Sequence, residues 1–253
     1  MPLQALLPTM DPLTIVMLCG IFLFAGIVKG FLGIGLPAAA MGLLTLIIPP
    51  TEAISLLWLP ILFSNMFQFG RAPNKRVIMR SYPWFAVALF ASIFVTSLFI
   101  NEYPTALLTV AIGVMMVIFS VNLLFGVTLP VGPGRGWQIG VGTLSGVLGG
   151  LSSIWSPPVA MYLIARNTSK EMFIGATGFL FLVGCLPLGA GLVISGLITW
   201  PVIVKSLAGL IMTLIGFRLG EIMRNRVSQE KFRRIVLIAF LIMGVRLIAV
   251  GLI

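Results

Sequence analysis

The chain has 253 residues, 59% of them hydrophobic and only 9% charged, with a net charge of +10 and a mean hydropathy of +1.16. Soluble domains carry about 25% charged residues, so no water-compatible surface can be built from this composition and the chain reads as an all-α integral membrane protein. The basic residues sit in short clusters between apolar runs, with no interleaved stacking aromatics, which excludes nucleic acid as a partner and leaves the lipid bilayer.

The chain opens on MPLQALLPTMDPL and has no Lys or Arg before Lys29. The basic region of a signal peptide is missing, and no cleavage is expected. Residues 12–50 then form an interrupted apolar region around GIVKGFLGIGLP, beginning at Gly26. Its segments 13–30 and 31–49 are each nearly long enough to cross a bilayer, so a re-entrant hairpin and two full spans are both open, with the hairpin preferred. Apolar spans follow at 53–70, 82–100 and 105–127, and the first of these carries Asn65 and Gln68.

A linker at 128–136 leads into GTLSGVLGGLSSIWSPP from Gly142, which repeats the glycine punctuation of the first region. Gly26, Gly30 and Gly33 match Gly142, Gly146 and Gly149 in spacing. Segments 137–150 and 153–165 are each too short to cross, at about 20 Å of helix each, so they are expected to enter and leave on one side. Three further spans, 172–195, 200–218 and 233–252, complete the chain. The organisation expected is a first repeat at 1–127, the linker, and a second repeat at 137–253.

Charge gives these elements a direction. Arg71, Lys75, Arg76, Arg80, Arg135, Arg166, Lys170 and the cluster from Arg218 to Arg234 mark cytoplasmic connections, whereas NEYP at 101–104 and SGLIT at 195–199 carry no basic residue. A hairpin plus three crossings in each half makes the halves antiparallel. Inverted repeats with both termini outside the cytoplasm are expected.

Breaking a helix in hydrocarbon leaves peptide groups unpaired, which is tolerated only where protein or a polar cavity surrounds them. A helix restarting at mid-depth aims its first amides at the gap and favours an anion there. Pro37, and Pro157 with Pro158, suit the first turn of such a second arm. The residues expected at the site are Lys29, Gly30, Gly33, Gly35, Asn65 and Gln68 from the first half, and Ser145, Gly146, Gly149, Gly150, Ser152, Ser153 and Trp155 from the second. Their alternatives are structural. Glycines four apart often serve close helix packing, Lys29 could be a cytoplasmic anchor, the serines could bond to their own helix, and Trp155 could anchor at an interface.

Glu52 and Glu171 each open the helix after a hairpin, where an acid complements the helix dipole. They are also the candidates for coupling to H+ or Na+. Cys19 and Cys185 lack metal-type spacing and read as small buried hydrophobes. No metal or other cofactor is expected, and oligomeric state stays open. A channel could use the same hairpins. An intramembrane enzyme is disfavoured because the chain has no His and no serine with an evident base. A structural membrane subunit would need no mirrored breaks.

The paired motifs GFLGIGLP from Gly30 and SGVLGGLSS from Ser145 resemble the sulfite exporter TauE/SafE group of anion permeases, over about residues 12–252. The resemblance implies an inner-membrane secondary transporter with about eight hydrophobic segments in two homologous halves, moving sulfite, a sulfonate or a related small organic anion. By matching position, Gly30, Gly33, Gly35, Gly146, Gly149 and Gly150 correspond to its signature glycines. Lys29 is not among them, and its role rests on the residues alone.

Overall fold

The computed structural model describes residues 12–127, 131–132, 134–224, 226 and 228–253. Asp11 with the amino-terminal residues, and part of the 128–136 linker, lie outside the described residues. The first half runs α1 (Pro12–Leu32), α2 (Leu36–Leu44), α3 (Pro50–Gly70), α4 (Lys75–Ser81), α5 (Pro83–Leu98) and α6 (Thr105–Phe125). The second runs α7 (Arg135–Ser152), α8 (Ser156–Ala165), α9 (Lys170–Ile194), α10 (Trp200–Met223) and α11 (Gln229–Leu252).

Both interrupted regions are hairpins with unequal arms, which corrects the expectation of two near-equal segments in each. In the first, α1 has 21 residues and is long and apolar enough to cross by itself, whereas α2 has only 9, about 14 Å of helix. In the second, α7 reaches 18 residues, about 27 Å, where the sequence reading stopped it short, and α8 has 10. The short arms are enclosed by protein along almost their whole length. Enclosure of this kind is what an interrupted helix requires in lipid. The expected span 82–100 is also modified: α5 holds 16 residues, and the chain bends by 71° before it, at Tyr82–Pro83. Pro83 disfavours helix at the residue before it, which ends α4 and lets Lys75, Arg76 and Arg80 turn outward.

Packing relates the two halves by exchange. The long arm α1 lies on α10, and the long arm α7 lies on α5, the corresponding crossing of the other half; α3 pairs with α9, and α6 with α11. The boundaries fix the register, since Leu32 corresponds to Ser152, Leu36 to Ser156 and Pro50 to Lys170, a constant offset of 120 residues. Gly26 and Gly30 therefore match Gly146 and Gly150, one helical turn later than their spacing alone suggested. Contacts agree. A Cβ on Gly26 would strike the Thr213 carbonyl and lie 3.0 Å from the Phe217 nitrogen, and one on Gly146 would lie 2.9 Å from the Leu89 carbonyl and 3.2 Å from the Ile93 nitrogen. Gly142, Gly146 and Gly150 form an evenly spaced triple, so glycine spacing alone could not choose between the two registers.

Pro60 shows how a defect inside a span is repaired. Without an amide hydrogen at position 60, the carbonyl of Leu56 loses its helical partner. Ser206 of α10 donates to that carbonyl at 2.6 Å, tying α3 to α10 at the defect.

Candidate functional site

Lys29 sits in the last turn of α1, with 2% of its surface exposed. Its ammonium donates to Ser64 Oγ at 3.0 Å and to Asn65 Oδ1, both on α3. No carboxylate lies within ion-pair distance of it among the described residues. The amino group is therefore held by two neutral oxygens, inside the protein, and when protonated it has a third hydrogen uncommitted. The reading of Lys29 as an exposed cytoplasmic anchor is ruled out by this burial.

Immediately beyond Lys29 the helix stops. Gly33 donates to the Lys29 carbonyl at 2.7 Å, closing α1, and Gly35 accepts from Ala39 at 2.9 Å, opening α2. Gly33 and Gly35 have φ of +81° and +97°, a region in which a Cβ is strained, so the turn requires glycine at both places. The first amides of α2 that remain free for a partner belong to Leu36 and Ala38, because Pro37 has none.

A cleft of about 230 Å³ leads to this point. Of the residues that line it, Lys29, Gly30 and Gln68 are buried, Gly33, Glu221 and Arg224 are half-buried, and Arg71 and Glu171 are exposed at its mouth. Gln68 is oriented by donating to the Ile174 carbonyl at 2.9 Å and to Thr177 Oγ1 at 3.1 Å, which leaves its carbonyl oxygen without a partner. Arg71 stacks 3.8 Å over the Phe67 ring and contacts Glu221 at 3.2 Å, so one wall of the mouth is itself organised.

The second break is closed over. Ser153 donates its amide to the Gly149 carbonyl at 2.7 Å and takes φ of +58°; Ser152 Oγ donates to Leu148 and accepts the Ile154 amide at 3.1 Å. Ser152 thus serves the turn itself. Pro157 and Pro158 remove two amides from the start of α8, but side chains supply polar groups in their place. Ser153 Oγ, Trp155 Nε1 and Ser156 Oγ are buried without hydrogen-bond partners among the described residues, as is Asn65 Nδ2. Trp155 packs against Gly149 and Gly184 and meets Phe181 edge-on, so it is a wall of the interior and not an interfacial anchor. Cys185, next to Gly184, lies beside Asn65 and takes a bond from Trp58 Nε1 to its carbonyl at 2.9 Å. The two breaks are thereby linked through α3 and α9.

Other expected residues fall elsewhere. Ser145 is buried but donates to Val141 one turn back at 2.7 Å, so its hydroxyl is engaged by its own helix. Gly146 and Gly150 face α5, where added Cβ atoms would meet Leu89, Ser92 and Thr96; Gly30, besides reaching the cleft, presses on the backbone of Phe217. Close packing accounts for these three positions. Glu52 and Glu171 are not equivalent: Glu52 pairs with Lys205 at 3.0 Å, whereas Glu171 stands at the cleft mouth. Sequence reasoning missed Ser64, although a Ser-Asn pair within an apolar span was a signal, and it read Arg71 and Arg224 only as topology markers.

The model of the sulfite exporter TauE/SafE family matches residues 18–247. No curated protein and no solved structure matches the chain. The match covers both breaks and all of the helices but the first turns of α1 and the last turn of α11, and the chain belongs to the TauE/SafE family, a family of membrane transporters of anions and not of enzymes.

Proposed function

From that membership and the geometry of the first break, we propose that the protein is a secondary transporter that carries sulfite, a sulfonate or a similarly small organic anion by alternating access. The observation that carries the proposal is Lys29: a buried cation with no acidic partner among the described residues, beside a helix break and lining a cleft. An isolated buried charge is costly, and an anion that supplies the missing charge offsets that cost only while it is bound. Neutral donors around it let the anion leave again.

The anion enters past Arg71 and Arg224 and takes the free hydrogen of Lys29, with Gln68, Gly33 and the first amides of α2 around it. The opposite end of the α3–α10 pair is held by Glu52 and Lys205. Exchange of the roles of the two hairpins would then seal this cleft and open the second break, where Ser153, Trp155 and Ser156 await partners. Inverted repeats at 1–127 and 137–253 supply the symmetry for that exchange. Glu171, at the mouth, is the stronger candidate for coupling to H+ or Na+, since Glu52 has a cation of its own. The proposed setting is the inner membrane, with the cleft facing the cytoplasm and both termini on the opposite side.

Counterflow in proteoliposomes tests the proposal. Liposomes loaded with one anion should accumulate a labelled second anion transiently and with saturation, across a panel of sulfite, thiosulfate, sulfoacetate, taurine and simple carboxylates. Flux that rises linearly with concentration and lacks exchange would replace the carrier by a channel.

A further inference from the structure

The last turn of α1 has two working faces. Lys29 and Gly30 reach the cleft, whereas Phe31 lines a separate groove of about 830 Å³, with Leu124 at the end of α6 and Arg233, Arg234 and Ile238 near the start of α11. Phe31 stacks on Phe232 at 4.1 Å between ring centroids, so α11 is fastened to α1 beside the groove.

The groove is polar at its lip and apolar along its trough, and it lies where α1 and α6 end and α11 begins. That is the height of lipid headgroups if these helices cross the bilayer. Arg233 is engaged there, donating to the carbonyl of Leu123, one of the last carbonyls of α6 that lack a helical partner. Arg234 makes no hydrogen bond or ion pair among the described residues. Glu230 also lines the groove and offsets one of the two cations, leaving the lip positive. Lys231, next to Glu230 in the first turn of α11, is exposed and adds positive charge.

We propose that this groove is a binding site for an anionic phospholipid, with the phosphate on Arg234 and an acyl chain lying along Ile238 between Phe31 and Leu124. A free anion would gain nothing from the apolar trough, and a zwitterionic lipid would gain little from the positive lip. Basic pockets between membrane helices take anionic headgroups for this reason. The lipid would buttress the end of α1 from outside, and so support the turn that holds Lys29.

Native mass spectrometry of the full chain in detergent, titrated with phosphatidylglycerol or phosphatidylcholine, decides the matter. Wild-type protein should retain phosphatidylglycerol preferentially. Arg234→Ala should lower that affinity about fivefold, the weight of one interfacial cation, and leave phosphatidylcholine binding unchanged. Ile238→Trp, which fills the trough and keeps the charge, should reduce the bound lipid as well. Equal binding of the two lipids, or undiminished phosphatidylglycerol binding in both variants, would overturn the assignment. So would a disulfide between two copies carrying Ile238→Cys, since a second copy would then occupy the groove. None of these outcomes depends on which anion is transported.

Discussion

Replacement of Lys29 by Met tests the transport reading most directly, because it keeps an unbranched side chain, one atom shorter, and removes the charge and its hydrogens. The ammonium has three hydrogens. Two are engaged by Ser64 and Asn65, which leaves one for the anion. A hydrogen bond to a charged group contributes about 1.5–3 kcal/mol, so Lys29→Met should weaken anion binding roughly tenfold to 150-fold. Folding should change less than binding does. Asn65 loses a donor, at a cost of about 1–3 kcal/mol, but removal of an uncompensated buried charge acts in the opposite direction. Thermal denaturation in detergent separates the two effects. At an anion concentration of 100 times Kd, the wild-type protein gains about 2.7 kcal/mol. With affinity reduced 100-fold, the same concentration stabilises the variant by only about 0.4 kcal/mol. Uptake into proteoliposomes should show the matching rise in KM. A variant with wild-type KM and a wild-type thermal shift would refute a role for Lys29 in holding the anion.

Three further outcomes are expected. Gly30→Ala should force α1 from the Phe217 backbone and destabilise the protein by about 1–3 kcal/mol, whereas Gly20→Ala, whose Cβ meets nothing within 4 Å inside α1, should melt no lower than wild type; equal melting of both would deny the close helix contact. Glu52→Gln breaks a partly exposed ion pair with Lys205 and should cost no more than about 1 kcal/mol, yet it should speed maleimide labelling of Ala53→Cys, buried at that end of α3, in a background without Cys19 and Cys185. Unchanged labelling would mean that the pair does not hold that end shut. Single cysteines at Asn101 and Gly196 should react from outside intact cells, and those at Arg76 and Arg166 only after permeabilisation; the reverse pattern would invert the proposed topology.

Much of this protein was readable from its residues one stretch at a time. Apolar length marked the crossings, because each helix must satisfy its own backbone in lipid. Gly33, Gly35 and the downstream prolines marked the breaks, and a lone lysine in an apolar run marked the candidate site, because neither is cheap in that setting. What depended on contact between distant segments was not readable. Whether Gly26 matches Gly142 or Gly146 is decided by where the helices end at the two breaks, and the backbone that Gly26 meets on α10 lies nearly 190 residues away. Ser145 and Ser153 are both serines within one glycine-rich stretch, yet one hydroxyl bonds to its own helix and the other has no partner among the described residues. Likewise Glu52 acquires Lys205, while Glu171 stands at the mouth of a cleft. Hydropathy and helix periodicity report what a single helix must hide, but charge pairing and the opening of a cleft are set by how separate helices pack, and only the tertiary structure decides that.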